Sequence, residues 1–166
     1  MRIQDYLATQ HVLFEVLLHP PTSSATRLAR SVHVPGRGVA KAVLVSAGDA
    51  YVMCVLPATH RVDLAKLNAV LIPPALPRIA TESEVAGLFH DCEPGALPPF
   101  GSIYGLTTLV DPTLAGCESI VFEANTRYES VRMRFRDYEK AERIRKVRFA
   151  APIAPAGSKS STRQAG

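Results

Sequence analysis

The chain has 166 residues, 47% of them apolar and 20% charged, which suits a soluble globular protein with one substantial core. Its longest apolar runs, such as 51–57, are far too short to span a bilayer. Met1-Arg2-Ile3-Gln4-Asp5-Tyr6 also lacks the basic-then-apolar layout of a signal peptide, so a cytoplasmic location is expected. The net charge of +4 is unevenly spread: residues 1–126 carry 8 basic and 11 acidic side chains, residues 127–166 carry 11 and 4, and the strongly positive end suits a polyanion.

A short helix over 4–9 is expected to lead into an apolar strand over 11–18. Thr22, with Ser23 or Ser24, can cap a helix that runs to about residue 32 with Leu28 and Ala29 facing inward, and Pro35-Gly36 breaks it. Strands over 39–45 and 50–56 flank a hairpin loop at 46–49. Apolar residues at 64, 67, 70 and 71 have helical spacing over 62–71, and Pro73-Pro74 stops that helix. An edge segment begins at Ile79, and Thr81-Glu82-Ser83-Glu84 has the form of a capping box opening a helix over 81–89.

Strands are then expected over 107–110, 119–124 and 130–135, followed by a charged helix over 137–146. From residue 150 onward little could offset the entropy of ordering, so residues 1–149 are read as the domain and 150–166 as a disordered basic tail. Strands and helices mix without regular βαβ alternation, which makes the fold α/β or α+β with a mixed sheet.

Between the helix over 81–89 and the strand over 107–110 lies Cys92-Glu93-Pro94-Gly95-Ala96-Leu97-Pro98-Pro99-Phe100-Gly101. Three prolines stiffen this loop and two glycines open backbone angles closed to other residues, so it can present backbone groups in a fixed array. Upstream, Lys41 interrupts an otherwise small or apolar strand. Both strand faces around it are apolar, so its ammonium lies either at a rim or in a pocket with an anionic partner.

Gly36-Arg37-Gly38-Val39-Ala40-Lys41 lacks the order of a phosphate-binding glycine loop, which excludes an NTPase of that type. Ser102 is not in a nucleophile elbow. Cys54, Cys92 and Cys117 show neither a disulfide pattern nor metal-ligand spacing, although His90 lies near Cys92, so no metal is expected and the thiols read as buried and reduced.

Lys41, the loop's Gly95-x-x-x-Pro99 with Gly101, and the turn Asn125-Thr126-Arg127 occur in the order and spacing of one known family. Over about residues 12–138 the chain resembles the YbaK/prolyl-tRNA-synthetase-associated domain family, whose members hydrolyse amino acids from mischarged tRNA. The resemblance implies a mixed, strongly curved sheet surrounded by helices, and a stand-alone trans-editing deacylase that uses no cofactor. It implies that Lys41, Gly95, Pro99 and Gly101 form the catalytic set, and that a ribose hydroxyl of the substrate helps to activate water. Asp91, Ala96, Leu97, Pro98, Phe100, Thr126 and Arg127 are then expected at the substrate.

Arg143, Arg145, Lys146 and Arg148, on the charged helix, are expected to touch the tRNA backbone. The implied substrate is a small amino acid such as alanine, cysteine or serine, on tRNA for proline, with an aminoacyl-tRNA synthetase as a further partner. Arg127 stands where many members carry a histidine, and it cannot act as a general base at neutral pH. That departure keeps open a non-catalytic tRNA- or synthetase-binding module, and a hydrolase of another small aminoacyl ester or aminoacyl nucleotide remains a third reading.

Overall fold

The computed structural model describes residues 1–71, 73 and 75–154. Helix α1 (Ile3–Thr9) leads to the edge strand β1 (Glu15–Leu18), which is shorter than the apolar run around it because Gln10 and His11 turn and residues 12–14 precede the first pairing. Ser24 accepts from the Arg27 N–H and caps α2 (Ala25–Ser31), which buries Leu28 and Ala29 as its spacing predicts. A single 3-10 turn at Gly36–Gly38 then starts the hairpin of β2 (Ala40–Ala47) and β3 (Ala50–Pro57).

The next segment departs from expectation: His60–Val62 is strand β4, and α3 (Leu64–Val70) begins after it with Asp63 as its cap. The short β5 (Arg78–Ile79) precedes α4 (Glu82–Leu88), where the Thr81–Glu84 capping box is fully formed. Beyond the proline loop come β6 (Thr107–Val110), the one-turn α5 (Pro112–Ala115), β7 (Ser119–Glu123), β8 (Glu129–Arg134), α6 (Phe135–Ala141), β9 (Ile144–Lys146) and β10 (Ala150–Pro152).

The larger sheet has the order β5-β2-β3-β6-β9, antiparallel on the β5–β2–β3 side and parallel from β3 to β9. Both of its faces are covered, which explains why β3 reads as one unbroken apolar run. Leu44, Met53, Val55 and Val110 face a core with Ile3, Leu7, Phe100 and Tyr138, while Val45, Cys54, Leu56 and Leu109 pack with Leu67 of α3 and Phe149. A second sheet, β1-β8-β7, is antiparallel, and β10 pairs with β4. A single parallel bridge, Val39 to Val121, joins the start of β2 to β7 beneath α2. The architecture is mixed α/β, as expected.

Two C-terminal expectations are corrected. The charged helix ends at Ala141, because the buried Glu142 carboxylate turns inward to accept from the Ser102 N–H and from the hydroxyls of Ser102 and Thr108. The chain therefore continues as β9 beside β6, and the basic residues of this stretch do not share a helix. The tail also does not begin at 150. The buried Asp111 Oδ2 accepts from the N–H groups of Phe149 and Ala150, holding Ala150, Ala151 and Pro152 in register with β4. Pro74 and residues 155–166 of the expected tail lie outside the described residues. Among the described residues no helix is long and apolar enough to cross a membrane.

Candidate functional site

Two residues beyond the bridged pair Val39 and Val121 stand Lys41 on β2 and Glu123 on β7. Side chains repeat every second residue along a strand, so Lys41 and Glu123 return to the face of the bridged valines. As the strands part they enclose a cavity of about 300 Å³, lined by Lys41, Ala42, Leu28, Gly95, Leu97 and Glu123 among others. An apolar cleft of about 590 Å³ adjoins it, sharing Ala42, Gly95 and Leu97 and reaching Val85, Ala86 and Phe89.

Lys41 is half-buried, and its desolvation lowers the amine pKa from the ordinary 10.5. Among the described residues no carboxylate lies within ion-pair distance of it. The anionic partner expected for a pocketed lysine is therefore not supplied by those residues.

Glu123 lies on the opposite strand and is only 7% exposed. Its Oε1 accepts from the Thr22 hydroxyl at 3.0 Å, and its Oε2 is buried without a partner among the described residues. Burial pushes this carboxyl up to about 8; the Thr22 hydrogen bond and the charge of Arg127 pull it down, and Glu93 adds to the rise.

The loop is fixed by Asn125. Its backbone accepts from the Glu93 N–H at 2.8 Å and donates to the Ala96 carbonyl at 3.1 Å, and its own φ of 68° is a left-handed value asparagine tolerates. Gly95 has φ 82° and open space where a Cβ would sit, so its conformation, not crowding, favours glycine there. Among the described residues the N–H groups of Gly95 and Leu97 have no hydrogen-bond partner. On β2 the Leu44 carbonyl accepts from the Ala80 N–H on the side away from β3. By alternation the N–H and C=O of Ala42 face that same open edge.

Of the residues expected at the site, the structure brings together Lys41, Gly95 and Leu97. The other half of the loop turns inward. Ala96, Pro98, Pro99, Phe100 and Gly101 are buried, the Pro99 carbonyl accepts from the Tyr138 hydroxyl at 2.6 Å, and Phe100 packs against Tyr6, Phe122 and Tyr138. A Cβ on Gly101 would meet Thr108 Oγ1 at 2.5 Å and the Leu106 carbonyl at 3.1 Å, and Thr108 is itself held by the Gly101 N–H and by Glu142. Gly101→Ala is therefore expected to lower stability by about 2 kcal/mol. A urea midpoint equal to that of the parent protein would show that this corner yields freely.

Asp91 does not line the cavity either; its carboxylate accepts from the Met1 amine and the Tyr104 hydroxyl. Thr126 donates to Glu129. Arg127 reaches the cavity only indirectly: its Nε donates to the Thr22 carbonyl at 3.2 Å, its N–H donates to Glu93, and Thr22 in turn holds Glu123. Arg143, Arg145, Lys146 and Arg148 are exposed on and around β9, three strand spacings from β2, or roughly 14 Å across the sheet. Lys146 pairs with Glu139 and lies over the Phe135 ring.

Of the three thiols expected to be buried, Cys54 is buried whereas Cys92 and Cys117 are half-buried, and neither Cys54 nor Cys92 is poised as a thiolate. Burial pushes Cys92 up to about 11 and Cys54 to about 12. Among the described residues no three His, Cys, Asp or Glu side chains gather as a metal site requires. Sequence reasoning did not select Glu123. The signal available was parity, since Glu123 and the apolar Val121 fall on one face of an alternating strand.

A mixed α/β domain with a lysine-bearing cavity beside a glycine–proline loop is the arrangement reached from the residues. The family model described as the aminoacyl-tRNA editing domain matches residues 19–141, and the chain belongs to that family. No curated protein matches it. Among solved structures, it is similar to one described as a trans-editing enzyme for prolyl-tRNA synthetase, with 20% identity, a TM-score of 0.74 and coverage of 88% of this chain and 94% of that one. A hypothetical protein, APE2540, superposes with a TM-score of 0.80 at 16% identity, over 90% and 99% of the two chains. A protein assigned to signal transduction in Marinobacter aquaeolei matches at 17% identity and a TM-score of 0.70, over 90% of this chain but 30% of its own. These likenesses establish a shared fold.

Proposed function

We propose that the protein is a trans-editing deacylase that hydrolyses the ester joining a wrongly attached small amino acid to the 3′ end of tRNA, with tRNA for proline as the carrier. The observation that carries this reading is Lys41, a half-dry cation with no anionic partner among the described residues, in one cavity with Gly95 and Leu97. Such a cation suits a phosphate or a polarised carbonyl oxygen. The unpartnered N–H groups of Gly95 and Leu97 and the open edge at Ala42 supply further donors for the aminoacyl carbonyl. An ester is already activated, so positioned water suffices as nucleophile, in keeping with the raised thiol pKa values.

A wall made of Ala42 and Leu97 excludes large side chains and separates near-isosteres poorly, which favours alanine, serine or cysteine. The exposed basic residues around β9 would contact the tRNA backbone from outside the cavity. The reaction belongs where charged tRNA is found, in the cytoplasm, and an aminoacyl-tRNA synthetase is a natural companion.

The test is release of labelled amino acid from a panel of mischarged tRNAs. Multiple turnover on one or two small amino acids is the expected result; no release above buffer on any member overturns the reading. Arg127, held by Thr22 and Glu93 in the place of a family histidine, favours a second reading, a tRNA-binding module without catalysis. Salt-sensitive tRNA binding with no turnover would single that reading out.

A further inference from the structure

Glu123 lines the cavity as Lys41 does, yet the deacylase reading leaves its carboxyl without a task. Its Oε1 is fixed by Thr22, whereas Oε2 is buried with no donor among the described residues. An unmade hydrogen bond on a buried carboxyl is unfavourable, and a ligand that brings a donor to that oxygen recovers it. The charged groups around Glu123 are Arg127, reached through the Thr22 carbonyl, and Glu93, while Lys41 lines the same cavity from β2. Lys41 and Glu123 make no ion pair, so the space between them separates a cation from a carboxyl.

We propose that the Glu123 carboxyl recognises the free α-amino group of the aminoacyl ester, so that the site accepts unblocked aminoacyl ends and refuses N-acylated or peptidyl ones. This inference rests on the deacylase reading and deepens it. An aminoacyl nucleotide carries an amine at one end and phosphate at the other, which is the polarity of this cavity read from Glu123 to Lys41. One proton is shared between carboxyl and amine; carboxylate with ammonium and carboxylic acid with amine each satisfy Oε2. An N-acyl group removes that exchange and adds bulk at a wall held closed by the Thr22–Glu123 bond.

The experiment compares alanyl-tRNA with N-acetylalanyl-tRNA, each rate divided by its own hydrolysis in buffer, for the parent protein and Glu123→Gln. The parent is expected to prefer the free amine by about tenfold or more in kcat/KM. Glu123→Gln should lose about tenfold on that substrate and change less than about twofold on the acetylated one. Equal parent rates on both esters overturn the proposal, as do equal losses on both in the variant.

A second arm needs neither turnover nor a variant: calorimetric titration of the parent with the stable amide analogue 3′-alanylamino-3′-deoxyadenosine and with its N-acetyl form. Binding that requires the free amine, in a protein that deacylates no tRNA, sinks the deacylase reading and keeps the amine site. Deacylation with equal affinity for the two analogues sinks the amine site alone.

Discussion

Replacing Lys41 by alanine is expected to lower kcat/KM for deacylation by about 100-fold or more, the usual effect of deleting a charge that stabilises developing negative charge in a sheltered site. The fold should not suffer in proportion. Lys41 makes no ion pair among the described residues, and its burial disfavours the ammonium form. Lys41→Met keeps the stem that packs on β2 and should melt no lower than the parent while remaining as inactive as the alanine variant. Because the amine pKa is lowered, activity should decline as alkaline pH neutralises Lys41, earlier than for an exposed lysine. Undiminished release by Lys41→Ala would remove the cation from the reaction.

Glu123 should make stability fall with rising pH. Its carboxyl titrates at about 8 in the folded chain against an ordinary 4.5, so between those values the folded state holds a proton that the unfolded state has released. The associated stability is complete below pH 4.5 and is lost as pH climbs through 8, on the order of 5 kcal/mol in all. The groups facing it are Thr22, Arg127 and Glu93, and the last adds repulsion once Glu123 ionises.

Other shifted carboxylates act in a different window. Asp91 and Asp111 are pushed up by burial, but their hydrogen bonds outweigh that push, and Glu84 is lowered by Arg78, so all three titrate below the ordinary range. Glu123→Gln should therefore flatten the thermal-midpoint profile between pH 5 and 8.5 and melt higher than the parent at the alkaline end. Parallel profiles for the two proteins would show that the carboxyl is already solvated.

The elements legible in the sequence were those with strong local signals. Thr81 and Glu84 announce their helix by a reciprocal cap, and the two apolar runs of β2 and β3 on either side of Ser46-Ala47-Gly48-Asp49 mark a hairpin whose lysine reaches the cavity. The proline loop was legible as stiff, but not in which direction each residue faces. That depends on Tyr138, 39 positions from Pro99, and on Phe122 and Tyr6 packing around Phe100. β9 and β10 were invisible for the same reason. Three-residue strands have almost no periodicity of their own, and these are held by Glu142 and Asp111, whose carboxylates reach backbone or hydroxyl donors far along the chain. Glu123 passed as an ordinary strand glutamate because its burial is created by α2 and the proline loop.

The lone bridge from Val39 to Val121 works like the pivot of a pair of scissors, with Lys41 and Glu123 seated on the two blades. The gape between those blades is governed at the pivot, under α2, by residues that never meet a substrate. Trading one methyl group among Val39, Val121 and Leu28 would widen or narrow the jaws while leaving the amine and the carboxyl in place. Selectivity for the size of the attached amino acid could thus drift through changes hidden in the interior, with the reacting groups untouched.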